Sequence, residues 1–179
     1  MSIKPWKVLE STYIRDNVRI DTCEISNGLV VKPLVREFTP WVNVVALTPI
    51  HEIVLIKQYR HGIGKVIWEI PAGMSHEANE TLLDAARREL LEETGYSSEK
   101  LIEIGRVSAD PASYTNLTYS FLALDAEKVS NQHLDDTEEI DVFLLPFEEA
   151  IQMAQRGELP QALQVSALFF ALLYLGHIV

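Results

Sequence analysis

The sequence predicts an α/β protein in which a mixed β-sheet is covered by helices on both faces. Runs that alternate apolar and polar residues, or that are short and apolar, recur along the chain as expected for strands. Three segments, at residues 80–94, 147–156 and 161–175, have the composition and spacing of helices instead. Because hairpins are mixed with so few helices, we expect the strands to form one layer with helices packed on either side.

The strands are predicted in chain order as two hairpins followed by single strands. Asn27-Gly28 is a strong hairpin-turn signal between the first two runs. A second hairpin is expected around a short turn that contains Pro49. The predicted strands are residues 18–25, 29–38, 41–48, 52–59, 66–70, 101–108, 118–124 and 140–145.

Composition and charge restrict the partners and the location of the protein. The 179 residues are 47% hydrophobic, which is enough for one folded core, and the net charge of −11 argues against non-specific binding to nucleic acid or anionic membranes. A single cysteine, Cys23, excludes an internal disulfide and fits a reducing compartment, and the first residues lack the apolar core of a signal peptide. We therefore expect a cytoplasmic protein. The apolar run at residues 165–176 is shorter than the ~20 residues that cross a bilayer, so no membrane span is expected.

The central helix is delimited by its capping residues. Asn79 is expected as the N-cap and Gly95 as the C-terminal stop. Glu80 is expected in the first turn as a support for the helix start, because it lies ~12 Å of helix rise from Arg88. One apolar stripe is predicted to face the core: Leu83, Ala86 and Leu90.

The other face of this helix carries three carboxylates, Glu89, Glu92 and Glu93, within little more than one turn. Like charges this close repel one another unless a positive group lies among them. A cluster of hard oxygen ligands suits Mg²⁺ or Mn²⁺. A solvated acidic face is the alternative interpretation of the same pattern.

The residues around this helix resemble the signature of the Nudix hydrolases. That signature is Gly, five residues, Glu, seven residues, then Arg-Glu-apolar-x-Glu-Glu-x-Gly-apolar. Residues 88–96 match its second part, and Glu80 stands at the required distance before Arg88. The chain departs from the pattern at Gly73, since six residues, 74–79, separate it from Glu80. The insertion lies in a polar loop, where added length costs little. The resemblance implies the Nudix α/β/α sandwich.

The resemblance also implies how a metal site would be built. In similar enzymes, a backbone carbonyl at the position of Ala72 and glutamates at the positions of Glu89 and Glu93 hold divalent ions. Glu92 is expected as a third carboxylate that takes part in metal binding and catalysis. Arg88 is expected to hold these carboxylates in orientation. Mg²⁺ is the expected ion, with Mn²⁺ as the alternative.

Four residues outside the helix are predicted to bind substrate by resemblance to the ADP-ribose pyrophosphatase branch. Arg60 would bind the diphosphate through charge-assisted hydrogen bonds, and Glu69 would contact ribose or base. Gly73, in the loop after Ala72, and Pro111, fifteen residues after Tyr96, complete the set. The alternatives are a surface arginine, a strand-end carboxylate and ordinary turn residues.

An acidic loop precedes the strand at residues 140–145. In similar ADP-ribose hydrolases, a loop glutamate at this place activates the attacking water. Glu138 is the first choice and Glu139 the second, because alignment on Ile140 favours Glu138. A mobile loop can bring a base close once substrate is bound. Acidic loops often only solvate a turn, which is the alternative.

Together these features predict a Mg²⁺-dependent hydrolase that cleaves the diphosphate of ADP-ribose or a related nucleoside diphosphate sugar. Another diphosphate-linked substrate, such as GDP-mannose or a dinucleotide, is the alternative within enzymes. A nucleotide-sensing module without hydrolysis is the alternative from another class.

The chain is also predicted to contain a β-rich N-terminal lobe at residues 1–45, before a main domain at residues 46–179. In similar enzymes such a lobe builds a homodimer and reaches into the neighbouring site. A homodimer is therefore expected by resemblance.

Overall fold

The computed structural model describes residues 3–75 and 80–177. Its chain divides into two compact units. The first contains the chain up to Thr39 together with Ser108–Asn116, and the second contains Pro40–Val107 and the chain from Leu117 onward.

The first unit contains an antiparallel sheet in which β2 pairs with each of the other three strands. Its strands are β1 (Lys7–Arg15), β2 (Val18–Glu24), β3 (Val30–Val31) and β4 (Leu34–Arg36). The predicted hairpin is confirmed, and Gly28 has the positive φ of 83° that its turn requires. The second arm of this hairpin is interrupted at Pro33, which has no backbone N–H for the ladder. β1 was not predicted from the sequence.

The segment Ser108–Asn116 completes the first unit. Arg36 N donates to Ser113 O at 2.7 Å, and Thr115 N donates to Arg36 O at 3.0 Å. The rings of Phe38 and Tyr114 stack with their centroids 5.6 Å apart. This segment is thus held by Arg36 at the end of β4 and by Phe38, which follows that strand.

The second unit contains two larger sheets and one short strand pair. The first sheet has the order β10 (Lys100–Val107), β11 (Thr118–Leu124), β5 (Trp41–Ala46), β8 (Ala72–Met74). The second has the order β13 (Ile140–Pro146), β6 (Glu52–Arg60), β7 (Lys65–Glu69), and β9 (Tyr96–Ser97) pairs with β12 (Glu127–Lys128). The first sheet is mixed, because β11 runs parallel to β5. The short strands β8, β9 and β12 were not predicted.

The prediction of a second hairpin was wrong in one respect. The turn is present, since Thr48 N donates to Glu52 O at 2.8 Å and Leu47 bridges to Ile53. The strands β5 and β6 nevertheless belong to different sheets. Five of the six residues of β5 and five of the nine residues of β6 are buried, and each is an interior strand of its own sheet instead of half of a two-stranded ribbon.

Helices cover both faces of the strands. Val44 and Ala46 of β5 pack in one cluster with Leu90 of α1 (Leu82–Thr94). The intervening Val45 packs in a second cluster, to which α2 (Phe147–Gln155) and α3 (Ala162–Tyr174) contribute. Alternate side chains of one strand therefore bury against helices on opposite sides. The predicted α/β/α sandwich is confirmed.

The start of α1 differs from the prediction. Thr81 is the N-cap, and its Oγ1 accepts a hydrogen bond from Asp84 N at 3.1 Å. Asn79, the predicted cap, lies outside the described residues, and Glu80 precedes the helix instead of forming its first turn. The predicted stop at Gly95 is confirmed, because its φ of 75° ends the helix in the left-handed region.

The last helix is less buried than predicted. α3 buries Gln164, Ala167, Leu168 and Ala171, whereas Phe169 and Leu173 are exposed. It therefore packs through one face, although its sequence is apolar all round. None of the helices in the described ranges is both long and apolar enough to cross a membrane.

Candidate active site

The packing of α1 decides the direction of its carboxylates. Leu90 is fully buried and fixes which face of the helix is turned to the core. The neighbouring residues Glu89, Glu92 and Glu93 then lie at different depths. Glu93 is buried, Glu89 keeps 12% of its side-chain surface exposed, and Glu92 keeps 42%. The three carboxylates therefore range from the core to the solvent.

Arg88 lies among these groups and binds several of them. Its guanidinium donates to Glu80 Oε1 at 2.7 Å, Glu89 Oε1 at 2.8 Å, Glu92 Oε2 at 3.0 Å and Met74 O at 2.9 Å. The hydrogen bond to Glu80 raises the pKa of Arg88, so the side chain stays protonated. Glu80 precedes the helix, and helical spacing did not predict its contact with Arg88.

Strand β8 lies directly against this helix. Ala72 N donates to Glu93 Oε2 at 2.9 Å. A Cβ added at Gly73 would overlap the Glu89 carboxylate. The absence of a side chain at Gly73 therefore leaves the space that the Glu89 carboxylate occupies.

Burial changes the ionisation of the two inner carboxyls. Burial raises the pKa of Glu93 well above its usual value, opposed by the hydrogen bond from Ala72 N and reinforced by the charges of Glu89 and Glu138. Burial also raises the pKa of Glu89, where the charge of Arg88 opposes the effect. A nearby cation would favour the ionised form of both carboxyl groups.

Arg60 and Glu69 form a bidentate ion pair at the end of β6 and β7. Arg60 Nη2 lies 2.7 Å from Glu69 Oε2, and its Nε donates to both carboxylate oxygens. Glu69 is fully buried, whereas the Arg60 side chain is 43% exposed. The Glu69 carboxylate is thus bound to Arg60. Its predicted contact with ribose or base stays a prediction.

The acidic loop before β13 brings Glu138 to the same place. Glu138 N donates to Asp135 O at 2.9 Å, and Asp135 N donates to Glu138 Oε2 at 3.1 Å, so the two residues close a tight turn. Glu138 is half-buried, and its charge acts on Glu89 and Glu93. Glu139 is exposed and does not line the cavity.

These residues enclose a cavity of about 390 Å³. Its lining consists of Gln58, Arg60, Ala72, Gly73, Met74, Arg88, Glu89, Glu92, Glu93, His133, Asp135 and Glu138. We call it the acidic cavity. A second cavity of about 310 Å³ shares Arg60 and residues 72–74 with it and is otherwise lined mainly by β5 and the start of α3.

Four residues that line the acidic cavity were not among the predicted site residues: Gln58, Met74, His133 and Asp135. Gln58 stands two positions before Arg60 on β6, and this alternation could have placed it on the same face. His133 and Asp135 lie in the loop before β13, where no local pattern distinguishes them from solvated loop residues.

Pro111 belongs to the first unit, within Ser108–Asn116. It occupies the second position of a turn in which Ser113 N donates to Asp110 O at 3.1 Å. Proline favours this position because its φ is fixed. Its predicted role in substrate binding stays a prediction.

The donor chemistry of the acidic cavity fits a hard divalent cation. Oxygen atoms of Glu89, Glu92 and Glu93 are the ligand type that Mg²⁺ or Mn²⁺ prefers. Within the described ranges, no three acidic, histidine or cysteine side chains are already arranged around one ion. Arg88 donates a hydrogen bond to one oxygen each of Glu89 and Glu92. A bound ion would therefore compete with Arg88 for these oxygens.

Comparison with known families agrees with this site. Residues 37–167 match the NUDIX domain family, which covers well over half of the chain. The chain belongs to the NUDIX family. The resemblance of the helix and its preceding loop to the family signature is thereby confirmed, and the chain is a hydrolase of this family, whose enzymes generally use divalent metal ions.

Characterised relatives show the same relationship over most of their length. The chain is 30% identical to an ADP-ribose pyrophosphatase of Bacillus subtilis (strain 168), over 80% of this chain and 77% of that protein. It is also 30% identical to a methanol dehydrogenase activator of Bacillus methanolicus, over 84% of this chain and 80% of that protein.

A solved structure shows the fold. The crystal structure of an ADP compounds hydrolase superposes with a TM-score of 0.87 and covers 99% of this chain and 97% of that chain, at 22% identity. This agreement supports the NUDIX sandwich for the chain.

Proposed function

We propose that this NUDIX hydrolase cleaves the diphosphate linkage of ADP-ribose or a related nucleoside diphosphate sugar, with Mg²⁺ as its ion. The products from ADP-ribose would be AMP and ribose 5-phosphate. The observation that carries the proposal is the acidic cavity, which is lined by three helix carboxylates, two arginines, a loop glutamate and the backbone of Ala72 and Gly73 in β8. The similarity to an ADP-ribose pyrophosphatase supports the choice of substrate.

The ion would be held by the Ala72 carbonyl together with Glu89 and Glu93, and with Glu92 at the rim. Bound there, it would neutralise charge on the phosphoryl oxygens of the substrate. The net charge of −11 gives this neutralisation weight, since a diphosphate would otherwise be repelled.

The side chains around the ion would divide the remaining tasks. Arg88 would hold the carboxylates in orientation, a role supported by the hydrogen bonds that its Nη1 donates to both Glu89 and Glu92. Glu138 would accept the proton of the attacking water, because its carboxylate lies in the cavity whereas Glu139 is exposed. The oxygen of that water then forms the new bond to phosphorus as the bond to the bridging oxygen breaks.

Arg60 would bind the diphosphate, and Glu69 would position the Arg60 side chain. The buried Glu69 carboxylate accepts hydrogen bonds from Nε and Nη2 of Arg60, and Arg60 lines both cavities. The cavity beside Arg60 has room for the base or sugar that is attached to the diphosphate.

The test is product release from a panel of substrates with and without Mg²⁺. We expect AMP and ribose 5-phosphate from ADP-ribose, dependent on Mg²⁺ and abolished by a chelator. GDP-mannose and dinucleotides belong in the same panel, because a faster rate on either would replace ADP-ribose as the substrate. Binding of ADP-ribose with no turnover of any panel member would instead identify a nucleotide-sensing module.

We also propose that the protein is a cytoplasmic homodimer that associates through its first unit. In that unit β1 is exposed along all nine of its residues, including Val8, Tyr13 and Ile14. An exposed edge strand with apolar side chains is a surface that tends to associate with another chain. A second copy of the lobe would cover it.

A further inference from the structure

The loop that carries Glu138 is attached to the end of α1. The last carbonyls of a helix have no partner within the helix, and Glu92 O and Glu93 O are two of them. His133 N donates to Glu92 O at 2.8 Å. Gln132 Nε2 donates to Glu93 O at 2.7 Å. The loop therefore caps the helix at two of the three residues whose carboxylates line the acidic cavity.

The same amide also closes the loop on itself. Gln132 Nε2 donates a second hydrogen bond, to Ile140 O at 3.0 Å. Ile140 is the first residue of β13, and Glu138 lies between the two ends of the closed segment. One amide group thus joins three elements: the end of α1, the start of the loop and the start of β13.

We infer that Gln132 is a positioning residue that holds Glu138 at the distance from the carboxylates that proton transfer from water requires. This inference rests on the proposed function, in which Glu138 is the base. Closing a loop at its ends reduces the volume that a side chain within it can explore. The hydrogen bond from Gln132 to Glu93 O also fixes the position of the loop relative to Glu93, a predicted metal ligand. Without the amide, Glu138 would remain in the loop but would reach its productive place less often.

The test is a double-mutant cycle on the turnover of ADP-ribose with Mg²⁺. Gln132→Met keeps the length of the side chain and removes both donors. We expect it to lower kcat roughly 10- to 100-fold while KM changes little, because misplacement of a reacting group costs rate more than binding. Glu138→Gln should lower kcat by about 10²- to 10⁴-fold. In the Glu138→Gln background, Gln132→Met should have almost no further effect on kcat.

A neighbouring substitution provides the control. Asn131→Ala changes an exposed side chain in the same loop and should leave kcat and KM unchanged. Thermal unfolding of each variant shows that it is folded. Hydrogen exchange gives a readout without metal or substrate. The His133 amide should exchange slowly in the unsubstituted protein and faster in Gln132→Met.

The outcomes separate this inference from the proposed function. Equal losses of kcat from Gln132→Met in both backgrounds would overturn the positioning role, as would a normal kcat in the single variant. Rapid exchange of the His133 amide in the unsubstituted protein would overturn it even if Gln132→Met did not fold. Failure of the unsubstituted protein to hydrolyse ADP-ribose would refute the proposed substrate instead. Normal turnover by Glu138→Gln would refute the base, and the positioning role with it.

Discussion

At the scale of single residues, the buried carboxylate Glu93 shows how function opposes stability. It is buried beside Glu89 and within reach of the charge of Glu138, and burial raises its pKa. An acid with a raised folded pKa binds its proton more tightly in the folded chain than in the unfolded chain. Its contribution to stability therefore falls as the pH rises from the ordinary glutamate pKa through the raised value. The metal-free protein carries this cost at neutral pH.

We predict that Glu93→Gln abolishes hydrolysis and yet does not destabilise the metal-free protein. The amide oxygen can still accept from Ala72 N, while the buried charge is removed. The unfolding temperature without metal should equal or exceed that of the unsubstituted chain at pH 8, with a smaller difference at pH 5. Mg²⁺ should stabilise the unsubstituted protein more than the variant. Thermal unfolding at both pH values, with and without Mg²⁺, measures this.

Glu127→Gln, an exposed carboxylate on β12, serves as the matched control and should alter neither stability nor hydrolysis. Retention of most activity by Glu93→Gln with Mg²⁺ supplied would contradict its assignment as a ligand. A clear loss of stability at pH 8 would contradict the assigned cost of its burial.

At the scale of elements, the site depends on how closely β8 packs against α1. Gly73 leaves space for the Glu89 carboxylate, and Ala72 N is hydrogen-bonded to Glu93. The short strand and the helix are thus in contact through two of the predicted ligands. A side chain in β8 at this point would act first on the direction of Glu89, because a carboxylate end moves more easily than a backbone.

We predict that Gly73→Ala lowers kcat/KM roughly 10- to 100-fold with little change in thermal stability, because the added methyl displaces Glu89. Gly62→Ala is the control, since a Cβ there meets open space and its φ is not in the left-handed region. Steady-state kinetics at several Mg²⁺ concentrations would show a higher Mg²⁺ requirement for Gly73→Ala. Unchanged kinetics would mean that Glu89 can move without loss of function.

At the scale of the whole molecule, the exposed apolar residues are unevenly distributed. Within the first unit, β1 exposes Val8 and Ile14 by more than half. Within the second unit, the outer face of α3 exposes Phe169 and Leu173. We expect the dimer to form through the first unit and not through α3. The edge strand β1 presents backbone hydrogen-bonding groups as well as apolar side chains to a second copy.

We predict that light scattering will give twice the mass of one chain for the unsubstituted protein. The double substitution Val8→Lys and Ile14→Lys should give the mass of a monomer, because charged side chains on β1 oppose burial against a second copy. Leu173→Lys should remain a dimer, since it changes an exposed apolar residue on α3 and not on β1. A monomeric unsubstituted protein, or dissociation by Leu173→Lys alone, would contradict association through the lobe.

The local sequence was sufficient for the elements that end in strong signals. Gly95 stops α1 because only a residue without a Cβ adopts its φ at little cost, and Asn27-Gly28 fixes the first hairpin for the same reason. Helices α2 and α3 were predicted within a residue or two of their bounds. The N-cap of α1 was misplaced because Asn79 and Thr81 are both good caps, and only the path of the chain into the helix chooses between them.

The sequence by itself determined the family, the sandwich and the cluster of carboxylates on α1, since these follow from spacing along one chain. Only the tertiary structure decided that Arg60 is held by Glu69, that Glu80 returns to Arg88, and which loop glutamate faces the cavity. Each of these contacts joins a residue of one helix or strand to a residue outside that element. They depend on how packed elements bring loop ends together, and no local pattern records that.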